Sequence, residues 1–205
     1  MARRLFLMLA LVVILSWTLL SAAQQGATNA LNATEAAEGW TRLFDGRTQT
    51  GWVPSGDADW RVEDGTLTAT RGTGFLVSAA DYGDFELRLD YWAAKTVNSG
   101  IFMRCGDPMI NLRTCYEVQI GGTSSGLIAG NIANTAPAAD APAPTEQWNS
   151  LEISAIGDHL IVKVNGKTLV DARDKTHSRG KIALQEGGRG EIGLVRFRNI
   201  RIRTR

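Results

Sequence analysis

The sequence predicts an all-β protein, built as an antiparallel sandwich or jelly roll of two sheets. From Gly39 onward, apolar and polar residues alternate in short runs, and this period of two is typical of strands. Gly, Asp or Asn ends most runs, and the pairs Asp64-Gly65 and Asn165-Gly166 favour hairpin turns. No helical period follows the first 23 residues. About ten to twelve short strands are expected, and about 165 residues are enough to bury a two-sheet core.

The predicted strands follow one another along the chain with clear boundaries. A hairpin opens the domain, a cleanly alternating strand crosses its middle, and a second hairpin precedes the closing strands. Residues 121–147 are rich in Gly, Ala, Pro, Ser and Thr and predict a long loop of the functional or mobile kind. The strand segments are WRVEDGTLTAT, GFLVS, FELRLDYW, SGIFMRC, CYEVQI, WNSLEISAIG, HLIVKVNGKTLVDA, KIALQEGG and GLVRFRNIRIR.

The first 23 residues predict a cleaved export signal. Arg3 and Arg4 precede the apolar stretch from Leu5 to Leu20, and Ser21-Ala22-Ala23 supplies the small residues that a signal peptidase requires. We therefore expect a periplasmic or secreted protein. The alternative is an uncleaved N-terminal membrane anchor, because the apolar stretch approaches the roughly 20 residues that cross a bilayer.

The mature chain is expected to contain one domain. Residues 24–37 are small and polar and predict a flexible lead-in with no core to join. Residues 38–205 then form a single β-sandwich, since no repeat or second domain is visible.

Charge excludes two classes of partner. Loss of residues 1–23 lowers Lys+Arg from 22 to 20 against 21 Asp+Glu, which leaves a net charge of about −1. A nearly neutral chain gives no electrostatic basis for binding nucleic acid or anionic membranes. The one basic cluster is read as a solvated strand face; it consists of Arg196, Arg198, Arg201, Arg203 and Arg205.

The two cysteines predict a structural disulfide. An even count in an exported protein favours pairing of Cys105 with Cys115, which would close a loop between two strands. His159 and His177 have no ligand spacing to the cysteines, so this pair does not predict a metal site.

Strand alternation assigns one set of residues to a face opposite the core. In FELRLDYW, for example, Phe85 and Leu87 point one way and Glu86 and Arg88 the other. The opposite face is either a solvated surface with ion pairs or a sugar-binding surface, since aromatic rings, amides and carboxylates suit sugars. Its predicted members are Glu86, Arg88, Asp90, Trp92, Asn98, Phe102, Arg104, Glu117, Gln119 and Gln185.

Nine segments in order resemble the 3-keto-disaccharide hydrolase family and together cover about residues 39–203. The resemblance implies a concanavalin A/laminin G-like jelly roll that acts on glycosides oxidised to a ketone at carbon 3. A base removes the proton on carbon 2, the group on carbon 1 leaves, and water can add to the product. The segments are GWTRLFDGRTQTGW, WRVEDGTL, YGDFELRLDYW, NSGIFMR, YEVQI, QWNSLEI, VNGKTLVD, KIALQ and VRFRNIRIR.

The resemblance implies roles for eight of these residues. Glu117 is expected to be the general acid/base, Asp90 a second carboxylate or a metal ligand, and Arg104 the group that stabilises the enolate. A divalent cation on an Asp90/Glu117 face is plausible, and a plain Asp90–Arg104 ion pair is the structural alternative. The remaining residues, expected to bind sugar hydroxyls or flank the ring, are Asn98, Gln119, Gln185, Trp92 and Phe102.

The chain departs from the family at two places. Many relatives continue the IALQ strand with Asp-His-Gly, whereas this chain has Glu186-Gly187-Gly188. The Cys105–Cys115 loop, which directly follows Arg104, is also unusual. Both departures leave open a non-catalytic carbohydrate-binding module or a concanavalin-like interaction domain. The oligomeric state stays open as well.

Overall fold

The computed structural model describes residues 28–106, 109–121, 132, 135, 137–138, 145–187 and 192–205. The predicted signal peptide and most of the predicted loop at 121–147 lie outside these described residues. Cleavage, the membrane-anchor alternative and the single-domain division therefore stay predictions. Within the described part of the chain, no helix is long and apolar enough to cross a bilayer.

The described residues form thirteen strands and one short helix. The bounds are α1 Ala33–Ala37, β1 Thr41–Arg42, β2 Trp52–Gly56, β3 Arg61–Glu63, β4 Thr66–Ala69, β5 Gly74–Ser78, β6 Phe85–Ala93, β7 Asn98–Cys105, β8 Tyr116–Gly121, β9 Asn149–Ile156, β10 His159–Val164, β11 Lys167–Arg173, β12 Lys181–Glu186 and β13 Val195–Thr204.

The strands form the two antiparallel sheets that the alternation predicts. The larger sheet has eight strands, in the order β11-β10-β9-β6-β13-β4-β3, with β1 paired to β13. The smaller sheet has five strands, in the order β2-β5-β12-β7-β8. Strands β6 and β7 are joined along the chain but belong to different sheets. This crossover separates residues that a one-sheet interpretation would place together.

The core lies between the two sheets, where inward residues follow the predicted period of two. Strand β6 alternates buried and half-buried residues along its whole length, and Phe85, Leu87 and Leu89 are buried. Ile101 of β7 and Leu184 of β12 meet this core from the five-stranded sheet. The apolar faces are thereby removed from water, which is the main favourable term in folding.

The lead-in is more ordered than its composition suggests. Asn32 caps α1 and receives a hydrogen bond from the Glu35 backbone N–H in a capping box. Asn29 is 5% exposed, and its N–H donates to Oδ1 of Asn199 at 2.6 Å. The Asn199 N–H donates back to Oδ1 of Asn29 at 2.7 Å. The expectation that residues 24–37 have nothing to join is therefore corrected for residues 29–37.

Candidate functional site

The outer side of the five-stranded sheet carries a compact group of polar residues, Asn98, Glu117, Gln119 and Gln185, here called the polar face. Asn98 lies on β7, Glu117 and Gln119 on β8, and Gln185 on β12, and these three strands are adjacent. The neighbours Val118 and Leu184 point inward and belong to the core. Alternation therefore turns the polar side chains outward, as predicted for these four residues.

Gly100 makes room for the Glu117 carboxylate on this face. A Cβ at position 100 would lie 2.5 Å from Oε1 of Glu117 and 2.9 Å from its Cγ. The Glu117 side chain therefore lies across β7 instead of projecting straight out. Leu184 pairs with Ile101, which brings the next residue of β12, Gln185, alongside Gly100. Gly100 thus allows the carboxylate to extend toward Gln185.

The amides of the polar face are largely buried. Gln119 is 1% exposed, and its Nε2 donates to Oδ1 of Asn98 at 2.8 Å and to the carbonyl of Ile120 at 3.2 Å. Glu117 is 5% exposed and Asn98 7%. Oε1 of Gln185 is buried and has no hydrogen-bond partner among the described residues. A buried acceptor without a partner is costly, so this atom is available to a ligand hydroxyl.

Two aromatic rings adjoin the polar face. Phe102 is the cross-strand partner of Glu117, and its ring meets that of Phe75 edge to face at 5.1 Å. Phe102 lies on the outer side of the sheet, as predicted. Phe75 was not among the predicted site residues, although the alternation in GFLVS turns it to the same side as Val77. Rings beside amides suit the apolar CH face of a sugar.

Asp90 and Trp92 do not belong to this site, which corrects their predicted placement. Both lie on β6, in the eight-stranded sheet, and point away from the core. Asp90 pairs with Arg198 at 3.2 Å and accepts a hydrogen bond from Nδ2 of Asn199 at 2.7 Å. Trp92 lies under the guanidinium of Arg196, 5.9 Å from the ring centroid. The whole core separates both residues from Glu117.

Simple alternation also predicts the wrong side of the sheet for the Arg104 side chain. The pairing of β7 with β12 shifts between Lys181 and Ala183, which is a bulge that inserts one residue in β7. Arg104 takes φ +52°, and its side chain is fully buried. It therefore turns inward, and the following residue, Cys105, packs with Phe102 on the outer side.

The Arg104 guanidinium holds several segments together. It donates to the carbonyls of Gly83, Gly157, His177 and Ala155 at 2.8–3.2 Å and to Asp84 at 3.0 Å. Burial lowers the pKa of Arg104, while the adjacent Asp84 opposes that shift. This set of acceptors indicates a structural role, and neither an Asp90–Arg104 pair nor an enolate contact fits the geometry.

The expected cation site on Asp90 and Glu117 does not fit either. The two carboxylates point outward from opposite sheets, which pack about 10 Å apart. Within the part of the chain that the structure describes, no group of three or more His, Cys, Asp or Glu side chains could hold a metal ion.

The cysteines form the predicted disulfide, and the histidines lie away from the polar face. Cys105 and Cys115 are bonded across a sequence separation of 10. His159 lies on the eight-stranded sheet and pairs with Asp171 at 2.7 Å. His177 packs edge to face on Tyr116, and burial lowers the pKa of its imidazole.

Glu186 ends β12 beside Gln185 but points into the interior. The residue is completely buried, and its Oε1 accepts a hydrogen bond from the Gly193 N–H at 3.2 Å. Its Oε2 has no hydrogen-bond partner among the described residues. Burial raises the pKa of Glu186 to about 7, and the charge of Asp59 adds to the rise. The sequence signal was available, since Ile182, Leu184 and Glu186 share one face.

Fold and site together define a jelly-roll domain with one carboxylate set among amides on the outer face of its smaller sheet. Residues 39–203 match the family described as 3-keto-alpha-glucoside-1,2-lyase-like domain. The match covers most of the chain, so the protein belongs to this family and the resemblance is confirmed. No curated protein matches the chain.

Solved structures confirm the fold. A proposed glycosyl hydrolase from Parabacteroides distasonis is 21% identical with a TM-score of 0.76, covering 87% of this chain and 99% of its own. The carbohydrate-binding module CBM66 of Bacillus subtilis is 17% identical with a TM-score of 0.54, covering 74% and 95%. The β-glucanase of Bacillus licheniformis is 15% identical with a TM-score of 0.55, covering 76% and 94%. The predicted concanavalin A/laminin G-like jelly roll is therefore correct.

Proposed function

We propose that this protein is an exported enzyme that cleaves glycosides carrying a ketone at carbon 3 of the sugar. The observation that carries the proposal is the Glu117 carboxylate, which lies over Gly100 beside the amides of the polar face. The family match supports this substrate class. A carboxylate within reach of a sugar ring is the group that proton abstraction requires.

The reaction is an elimination. The ketone at carbon 3 acidifies the proton on carbon 2, and the Glu117 carboxylate takes that proton. The electron pair of the C–H bond passes into the enolate and then forms a double bond between carbons 1 and 2. The bond from carbon 1 to the aglycone oxygen breaks, and that oxygen leaves with the bonding pair. It takes up the proton that Glu117 removed from carbon 2, which returns Glu117 to the carboxylate. Addition of water to the unsaturated sugar would complete a net hydrolysis.

The amides of the polar face bind and orient the sugar in this proposal. Gln119 donates to Oδ1 of Asn98, which leaves the Asn98 amide nitrogen on the side away from Gln119. Gln185 adjoins Gly100 and can donate to the enolate oxygen as charge develops there, a role first expected of Arg104. Amide donors fixed by burial need little reorganisation during the reaction. Phe102 and Phe75 form the apolar border of the sugar site.

The disulfide supports export. Disulfides persist in oxidising compartments such as the periplasm and the extracellular space, and Cys105–Cys115 is formed here. The predicted signal peptide points the same way. The proposed location is therefore periplasmic or secreted.

The test is turnover of a 3-keto-glucoside and of 3-keto-trehalose by the mature protein, with and without a chelator. Glu117→Gln keeps the shape of the side chain but removes the base, so turnover should fall by about a hundredfold or more. Glu152→Gln, on the outer side of the eight-stranded sheet, is the matched control and should keep full turnover. Unchanged turnover in Glu117→Gln would remove Glu117 from the mechanism, and loss of turnover with chelator would restore the divalent cation.

A non-catalytic carbohydrate-binding module is the second candidate. Glu117 is the one carboxylate on the described strand residues of the outer face, whereas ordinary glycosidases use two. The fold likeness to CBM66 also favours it. Sugar affinity in the wild type without turnover of any 3-keto substrate would select this alternative. Absence of both would select an interaction domain.

A further inference from the structure

An open groove of about 670 Å³ lies on the same outer side of the five-stranded sheet as the polar face. Its volume falls within the range of about 300–1,000 Å³ that is usual for ligand pockets. We call it the apolar groove. Strands β2 and β5 form its floor, and Cys105, Gly106, Met109 and Ile110 form its wall. Its principal lining residues are Val53, Phe75, Val77, Cys105, Met109 and Ile110.

The apolar groove is continuous with the polar face. Phe75 lines the groove, is the cross-strand partner of Gln185, and touches Phe102. In the next row Val77 pairs with Ala183, which in turn pairs with Phe102. Successive outward rows of a sheet are about 7 Å apart. A sugar over Glu117 would therefore place a substituent on carbon 1 over a neighbouring row of outward side chains. That row lies within about the length of one sugar ring from the groove.

The lining of the groove selects an apolar occupant. Val53 is 56% exposed and Met109 64%, so both apolar side chains are open to a ligand in the groove. Among the described residues of the lining, Lys181 carries a charge; it pairs with Asp81 at 2.8 Å and donates to the Ala79 carbonyl. Its charge is therefore already compensated. Of the two serines in the described lining, Ser78 is already bonded to the Ala80 carbonyl and the Ile182 N–H. A second sugar would therefore meet mainly Ser55, whereas an aromatic or aliphatic group would meet the apolar side chains.

We infer that the apolar groove binds the aglycone, and that the preferred substrates are glycosides with an aromatic or aliphatic aglycone instead of disaccharides. This inference rests on the proposed function, because it places the sugar over Glu117. The Cys105–Cys115 bond fixes the wall of the groove, since Cys105 packs on Phe102 and Ile110 packs against the same cluster.

The experiment compares phenyl and methyl 3-keto-glucosides of the same anomer. Burial of much of one phenyl face should favour the phenyl glycoside by about tenfold in kcat/KM, in addition to the intrinsic advantage of phenoxide as a leaving group. The double variant Val53→Gln/Met109→Gln introduces polar atoms at two exposed positions and should remove the part of the preference due to burial while keeping turnover of the methyl glycoside. Ile156→Gln, at an exposed position of the other sheet, is the matched control and should keep the preference.

Calorimetry with the unoxidised phenyl and methyl glucosides separates the two proposals. If the wild type binds the phenyl glucoside more tightly than the methyl glucoside and the double variant does not, the groove is supported. This holds even where no 3-keto substrate is turned over and the proposed chemistry fails. Turnover with equal kcat/KM for both substrates overturns the groove and leaves the chemistry standing. A ratio of phenyl to methyl kcat/KM that the double variant leaves unchanged also overturns it, as does equal or absent binding in a protein without turnover.

Discussion

The buried carboxyl of Glu186 predicts that this protein loses stability as pH rises toward neutrality. The perturbation is Glu186→Gln, which keeps the shape of the side chain and the acceptor for the Gly193 N–H but cannot ionise. Glu186 is completely buried, and its second oxygen has no partner among the described residues. Ionisation inside the sandwich is therefore penalised by desolvation.

The magnitude follows from the raised pKa. A rise in the pKa of Glu186 from its ordinary value of 4.5 to about 7, at about 1.4 kcal/mol for each pKa unit, corresponds to about 3 kcal/mol. The folded protein holds the proton more tightly than the unfolded chain does. The contribution to stability is therefore fully present below about pH 4.5 and is lost as pH rises through about 7. This is a large fraction of a typical stability of about 5–15 kcal/mol.

The assay is urea unfolding of the wild type and of Glu186→Gln at several pH values between about 4.5 and 8. The amide also changes the free energy of unfolding by an amount that does not depend on pH. The informative quantity is therefore how the difference in unfolding free energy between Glu186→Gln and the wild type changes with pH. Relative to the wild type, Glu186→Gln should gain about 3 kcal/mol across this range. Other titrating groups are common to both proteins and cancel. A difference that does not vary with pH would refute the assignment of a raised pKa to Glu186.

Three further substitutions test the site and its supports. Gly100→Ala should displace the Glu117 carboxylate and lower turnover at least tenfold while the melting temperature changes little, because the atoms it meets belong to a movable side chain; wild-type turnover would refute the placement. Arg104→Lys should cost about 3 kcal/mol in thermal unfolding, since one amine cannot reach all five acceptors; a loss below about 1 kcal/mol would contradict the structural role. Asp90→Asn should change stability by less than about 1 kcal/mol and leave turnover unchanged; a large loss of turnover would return Asp90 to the site.

Much of the fold could be predicted because strand alternation is a local property. The face of each residue in β6 follows from the period of two alone, as does the outward direction of Glu117 and Gln119 in β8. The hairpin turns at Asp64-Gly65 and Asn165-Gly166 are equally local, and all four residues have positive φ. The disulfide followed from the even cysteine count.

The composition of the site could not be predicted in full, because two of its determinants are not local. Alternation gives the face of Asp90 within β6 correctly, but not the sheet to which β6 belongs. Sheet membership depends on which strands pair across long stretches of chain. The bulge at Arg104 is set by pairing with β12, and nothing in SGIFMRC marks the extra residue. Phe75, by contrast, could have been predicted, because the alternation in GFLVS turns it to the outer side of the sheet.

The bulge at Arg104 also connects the structural and the functional halves of the outer face. By taking a left-handed conformation, Arg104 buries its guanidinium among backbone carbonyls and reverses the alternation for the next residue. Cys105 then faces outward, where its disulfide can form the wall of the apolar groove beside Phe102. Without the extra residue, Arg104 would face the groove and Cys105 would face the core. A buried cation outside the polar face can therefore determine which side chains line the apolar groove.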